Sequence, residues 1–161
     1  MKTVLVIGKF STESFGMHIA ETLNDMGYQV LRFMPGCNAP QGGNILVHRM
    51  NQARRVLYDA TNGIPKMRIR RMKALWALVK GRKVDYVIVC HDFLQPAEVQ
   101  YLKDLTQAKI SMWFPDALVN FGKGYFMNAA YDGLFFKDPF IVKALLNVPQ
   151  SPVYYMPECF N

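Results

Sequence analysis

A chain of 161 residues, 51% hydrophobic and 13% aromatic, is long enough to fold as one domain that buries roughly 70% of its unfolded surface, and its composition is neither disordered nor fibrous. No apolar run approaches the ~18 residues of a membrane-spanning helix, and the three widely spaced cysteines, Cys37, Cys90 and Cys159, contain no C-x-x-C pair, which argues against a disulfide framework or a zinc site. The formal charge of +7 is concentrated: between Arg49 and Lys83 eleven basic residues face one acid, Asp59, so this segment carries +10 and the remainder of the chain −3.

Thr3 to Ile7 is an unbroken apolar, β-branched run and is expected to be a strand. Met1-Lys2 leads straight into it, too short a stretch for a secretory apolar core, so a cytoplasmic location is expected. Gly8 to Gly16 is a glycine-bounded polar loop, Met17 to Met26 has helical spacing, and Gln29 to Phe33 is a second strand. Such a strand-helix-strand unit builds parallel sheets, whose ligands sit in the crevice at the carboxyl ends of the strands. The loop lacks the G-x-G-x-x-G spacing, and no G-x-x-x-x-G-K-[ST] occurs in the chain, so neither a dinucleotide nor a P-loop nucleotide is supported. A glycine after a strand and a serine or threonine before a helix also meet the ordinary needs of any such connection.

Met34 to Asn44 reads as loop, Ile45 to Tyr58 as helix, Thr61 to Pro65 as a break, and Lys66 to about Lys80 as a second helix. Its spacing puts Lys66, Arg70, Lys73 and Lys80 on one side and Ile69, Met72, Trp76 and Val79 on another. The basic side is either simply solvated or makes a weak, salt-sensitive contact with an anionic membrane through the stretch from Lys66 to Lys83. No recognition motif accompanies the charge, so nucleic acid is not an expected partner.

Val84 to Cys90 is the third strand and ends in His91-Asp92-Phe93; Pro96 to Thr106 is a helix, with Glu98 in its first turn. Lys109 to Phe114 is a strand ending in Pro115-Asp116, Val119 to Asn128 is irregular or a short helix, and Gly133 to Phe136 is a strand running into Lys137-Asp138-Pro139. A helix from Phe140 to Leu146 and a strand from Val153 to Met156 close the pattern. The expected fold is α/β, a Rossmann-like doubly wound parallel sheet of about six strands in three α/β/α layers. No closing helix follows the last strand, which leads to the expectation that 1–161 is one Rossmann-like domain, the amino-terminal half of something longer.

The strand ends form an ordered set: I-G-K-F-S at 7–11, C-H-D-F at 90–93, W-F-P-D at 113–116, Y-D-G-L-F-F-K-D at 131–138 and Y-Y-M-P-E-C-F-N at 154–161. Together they resemble the amino-terminal domain of CgeB-like glycosyltransferases, a bacterial GT-B group. That resemblance implies an acceptor-binding half, with the nucleotide-sugar donor held by a carboxyl-terminal half and no cofactor in this one. Sugar transfer needs a base within reach of an acceptor hydroxyl, and His91, Asp92 and Asp116 are the candidates. The resemblance also assigns Asp132, Lys137 and Asp138 to the cleft, beside Gly8, Lys9, Ser11 and Thr12 as acceptor contacts. Each aspartate has a structural alternative, because a carboxylate at a strand end often caps the next helix or turn. His18 and His48 carry no partner signal, and the three histidines lack metal-ligand spacing, so no metal site is expected. A non-catalytic flavodoxin-like or receiver-like binding module is the alternative. A receiver, however, needs acids where Gly8-Lys9-Phe10 stand.

Overall fold

Six short β-branched and aromatic runs pair as one sheet, and the pairing is parallel throughout: β1 (Thr3–Ile7), β2 (Gln29–Phe33), β3 (Tyr86–Cys90), β4 (Lys109–Phe114), β5 (Gly133–Phe136) and β6 (Val153–Tyr155), in the spatial order β2-β1-β3-β4-β5-β6. The computed structural model describes residues 1–35, 45–61, 63–116 and 124–157. Residues 36–44 of the loop expected from Met34 to Asn44, the first part of the irregular stretch before Asn128, and the cysteines Cys37 and Cys159 therefore lie outside the described residues.

Side chains on a strand alternate between the two faces. On one face Leu5, Ile7, Val89, Ile110, Met112 and Leu134 are all at 0% exposure. The other face carries Val4, Val6 and Cys90, on which α1 (Phe15–Asp25) lays Ile19 and Ala20. This is the Rossmann-like three-layer arrangement, and Cys90 is the small buried apolar group its sequence suggests. Burial pushes its thiol up to about 12, so it stays an inert thiol at neutral pH.

The remaining helices are α2 (Ile45–Thr61), α3 (Pro65–Arg71), α4 (Lys73–Val79), α5 (Pro96–Thr106) and α6 (Pro139–Leu145), with a 3-10 turn at Tyr125–Asn128. They divide between two compact units, a sheet unit of Met1–Met34 with Val79–Asn161, and a helical unit of Pro35–Leu78. Helix starts are locally encoded: α5 and α6 each begin with proline, α5 behind a capping box of Gln95 and Glu98, and α6 behind Asp138, which accepts from the Phe140 N–H at 2.8 Å.

One expected element is corrected. The single basic helix expected from Lys66 to about Lys80 is two short helices, Pro65–Arg71 and Lys73–Val79, interrupted at Met72, and the basic stretch from Lys80 to Lys83 lies beyond them. Helical hydrogen bonds from Met72 N–H to Arg68 and from Trp76 N–H to Met72 cross the interruption. Gly81, at φ +73, then provides the left-handed residue that ends the run. The buried stripe is Arg68, Met72, Leu75 and Val79, at four- and three-residue steps, while Ile69, expected on the apolar side, is 62% exposed.

Candidate functional site

β1 leads through α1 to β2 on one side, and every later strand is added on the other side, so the winding reverses between β1 and β3. In open α/β sheets the crevice at such a reversal, beyond the carboxyl ends of the strands, is the usual ligand position. Here it is framed by the loop after Ile7, by His91 to Gln95 after β3, and by Pro115-Asp116 after β4.

Two glycines set the floor of the crevice. A Cβ on Gly8 would come within 3.0 Å of the Cys90 Cβ, and one on Gly16 within 2.6 Å of the Lys9 carbonyl oxygen, because the loop folds back onto the first turn of α1. Ser14 closes it: its hydroxyl donates to the Lys9 and Ser11 carbonyl oxygens at 2.7 and 2.8 Å rather than capping the helix. The helix consequently starts at Phe15, two residues before the sequence spacing places it. Gly8, expected as an acceptor contact, is buried and acts here as a packing residue. Gly16→Ala is expected to cost ~1–3 kcal/mol, the range for inserting a methyl where backbone leaves no room, read as a lower urea midpoint at unchanged slope. A midpoint equal to wild type would show that the loop gives way freely.

His91 follows β3 with φ +78, a left-handed backbone that costs a non-glycine residue of order 1 kcal/mol and gathers at functional sites. Its N–H donates to the Trp113 carbonyl oxygen at 3.0 Å, which fixes it against β4. The imidazole stands between two rings, Phe114 at 5.4 Å and Phe93 at 5.7 Å between centroids. Burial lowers its pKa below the usual histidine value; the Asp116 carboxylate opposes this, and the Lys9 ammonium adds to it. Asp116 Oδ2 lies 3.6 Å from His91 Nδ1, with the side chains 46% and 26% exposed. That distance is an electrostatic contact rather than a hydrogen bond. Lys9, His91 and Asp116, far apart in sequence, thus meet in one crevice and leave a neutral imidazole facing a carboxylate and a nearby cation.

The other candidates have different places. Asp92 turns its carboxylate to the 3-10 turn, where it accepts from the Tyr125 N–H at 2.8 Å and the Phe126 N–H at 3.0 Å, the capping alternative its sequence position allows. Asp138 is the cap of α6, at the end of β5 with Lys137 beside it. Ser11 and Thr12 are exposed on the rim of the β1 loop.

Asp132 is at the opposite edge of the sheet. Its carboxylate accepts from the Ile110 N–H at 2.8 Å and pairs with Lys103 at 3.1 Å and Lys109 at 3.3 Å, tying α5 to the amino ends of β4 and β5. Burial alone would raise its pKa, but the Ile110 N–H and the two lysines outweigh it and hold it below the usual carboxylate range. The family-like segment at 132–138 therefore spans the sheet from edge to edge, and only its end reaches the crevice side.

A separate groove of about 270 Å³ runs beside α1 across the sheet face, lined by Tyr28, Tyr86, Ile88, Ser111, Trp113 and Phe135 among others. It touches none of the expected site residues. Among the described residues no cluster of three His, Cys, Asp or Glu side chains could hold a metal ion. No known protein family matches the chain, nor does any curated protein or solved structure.

Proposed function

We propose that the crevice between the β1 and β3 loops binds the acceptor of a glycosyl transfer, and that this chain is the acceptor-side half of a GT-B enzyme whose donor nucleotide sugar is held by a carboxyl-terminal half. The observation that carries the reading is the His91–Asp116 pair at the winding reversal. A half-buried imidazole kept neutral is a competent base near pH 7, and a carboxylate 3.6 Å from Nδ1 stabilises the imidazolium formed on the way. In the step, Nε2 of His91 takes the acceptor hydroxyl proton as the oxygen bonds to the anomeric carbon. The bond from that carbon to the diphosphate breaks, and the nucleoside diphosphate leaves with the electron pair. In this reading Lys9 and the exposed hydroxyls of Ser11 and Thr12 hold neighbouring acceptor oxygens.

The flavodoxin-like alternative has the strand order in its favour, since the same reversal between first and third strands serves a flavin phosphate in that fold. Against it stands Ser14, whose hydroxyl is spent inside the loop. Amide NMR of the full chain discriminates: mono- and oligosaccharide acceptors are expected to shift Gly8 to Ser14, His91 and Asp116, whereas nucleotide sugars and FMN leave them in place. Micromolar binding of a nucleoside diphosphate or of FMN at these amides would overturn the acceptor-side reading.

A further inference from the structure

The helical unit exposes an apolar seam. Along the 17 residues of α2, Leu46, Met50, Ala53, Leu57 and Ala60 recur at alternating four- and three-residue steps, and all are exposed, with Leu46 at 69%, Met50 at 54% and Leu57 at 62%. Such steps place them along one side of a helix. Val47 and Asn51, about a quarter to a third of a turn from the seam, are half-buried, while His48 and Gln52 on the far side are exposed. An ordinary surface helix hides its apolar stripe and solvates the other; α2 leaves a complete stripe in water. Arg49, three residues after Leu46, and Arg54, three before Leu57, put an exposed cation on each border of the seam. The apolar exposure of α2 is also wider than one seam, since Val56 beside it is 65% exposed. In α3, Met67 at 43% and Ile69 at 62% are exposed in the same stretch of sequence as the exposed Lys66 and Arg70.

We infer that this face of α2, with α3 beside it in sequence, docks on an anionic lipid surface. The charge selects the partner. Two copies joined through the seam would set arginine borders against arginine borders, the like-charge arrangement that disfavours helix pairing. An anionic bilayer meets the same borders with opposite charge and takes the apolar side chains at the boundary of headgroup and acyl chain. A breadth of apolar groups exceeding a single helical seam suits a planar surface better than a groove in a partner. The contact expected from the Lys66–Lys83 stretch is thereby reassigned: α2 inserts, and the basic residues of α3 add attraction.

Flotation of the full chain with vesicles of 70% phosphatidylcholine and 30% phosphatidylglycerol, against pure phosphatidylcholine, tests this. Binding is expected only to the anionic vesicles and to weaken at high salt. Met50→Ser/Leu57→Ser should lower partitioning by at least ~10-fold, as expected for losing two inserted side chains, and Arg49→Gln/Arg54→Gln by ~10-fold. Both pairs replace exposed residues, and an unchanged far-UV circular dichroism spectrum checks the fold. A Leu57→Trp probe should shift its emission to the blue on anionic vesicles. Absence of flotation, flotation unaffected by the serine pair, or a concentration-dependent dimer abolished by that pair would each overturn the inference.

Discussion

If the proposed function holds, exchange of His91 for asparagine is expected to lower glycosyl transfer by ~10²-fold or more, the range for removing a positioned base, measured as kcat in the two-half enzyme proposed above. Asparagine is the informative replacement because it tolerates the left-handed backbone at φ +78 better than other non-glycine residues, so Tm should hold. The pH profile carries the second part of the test. Because burial depresses the histidine pKa in the folded chain, the base is deprotonated at neutral pH, and the acidic limb of kcat/KM should lie below the ordinary histidine value of about 6.5. Asp116→Asn removes the one group that opposes the depression and should move this limb to still lower pH. The stability sign is the same: the native state binds fewer protons than the unfolded one in this window, so stability is complete above pH ~6.5 and declines as pH falls through the native value. The asparagine variant should lack that decline. Wild-type turnover in His91→Asn would remove the base from this crevice.

Asp92→Ala is expected to act on the fold. It strips the 3-10 turn at Tyr125–Asn128 of two charged acceptor contacts, at 2.8 and 3.0 Å, above the fully buried Phe126. Leaving such N–H groups unpaired costs ~2 kcal/mol, or roughly 6 °C in Tm for a domain of this size. Asp92→Asn keeps one acceptor oxygen and should lose less, with turnover close to wild type. Loss of turnover in Asp92→Asn at unchanged Tm would reverse the assignment and make Asp92 the base.

The two aspartates show where local sequence stops being informative. Asp92 and Asp116 stand in equivalent positions, each just past an apolar strand, and nothing within five residues tells a cap from a member of the crevice. The partners decide it, Tyr125 and Phe126 for one and His91 for the other, and these come from chain segments more than twenty residues away. Asp132 makes the same point from the other direction. It stands six residues before Asp138, yet β5 runs between them, so the two lie at opposite edges of the sheet.

By itself the sequence determined the strands, their parallel pairing and most helix starts to within a residue or two, because these follow from short-range physics: apolar runs bounded by turns, the proline that opens α5, glycines where backbone must pass close. It also determined that the strand ends would share an edge, since parallel topology leaves no other arrangement. Only the tertiary structure decided which of those ends are neighbours. That order brings Lys9, His91 and Asp116 together, gives His91 its left-handed backbone and its two aromatic walls, and thereby sets its protonation. The same holds for the basic segment, where helical spacing allowed either Ile69 or Arg68 on the inner side, because adjacent residues on a helix differ by about 100° and burial depends on what packs there. The apolar seam of α2 was present in the sequence as a spacing, but a spacing does not say whether a stripe faces inward or outward; its exposure is a property of the folded chain.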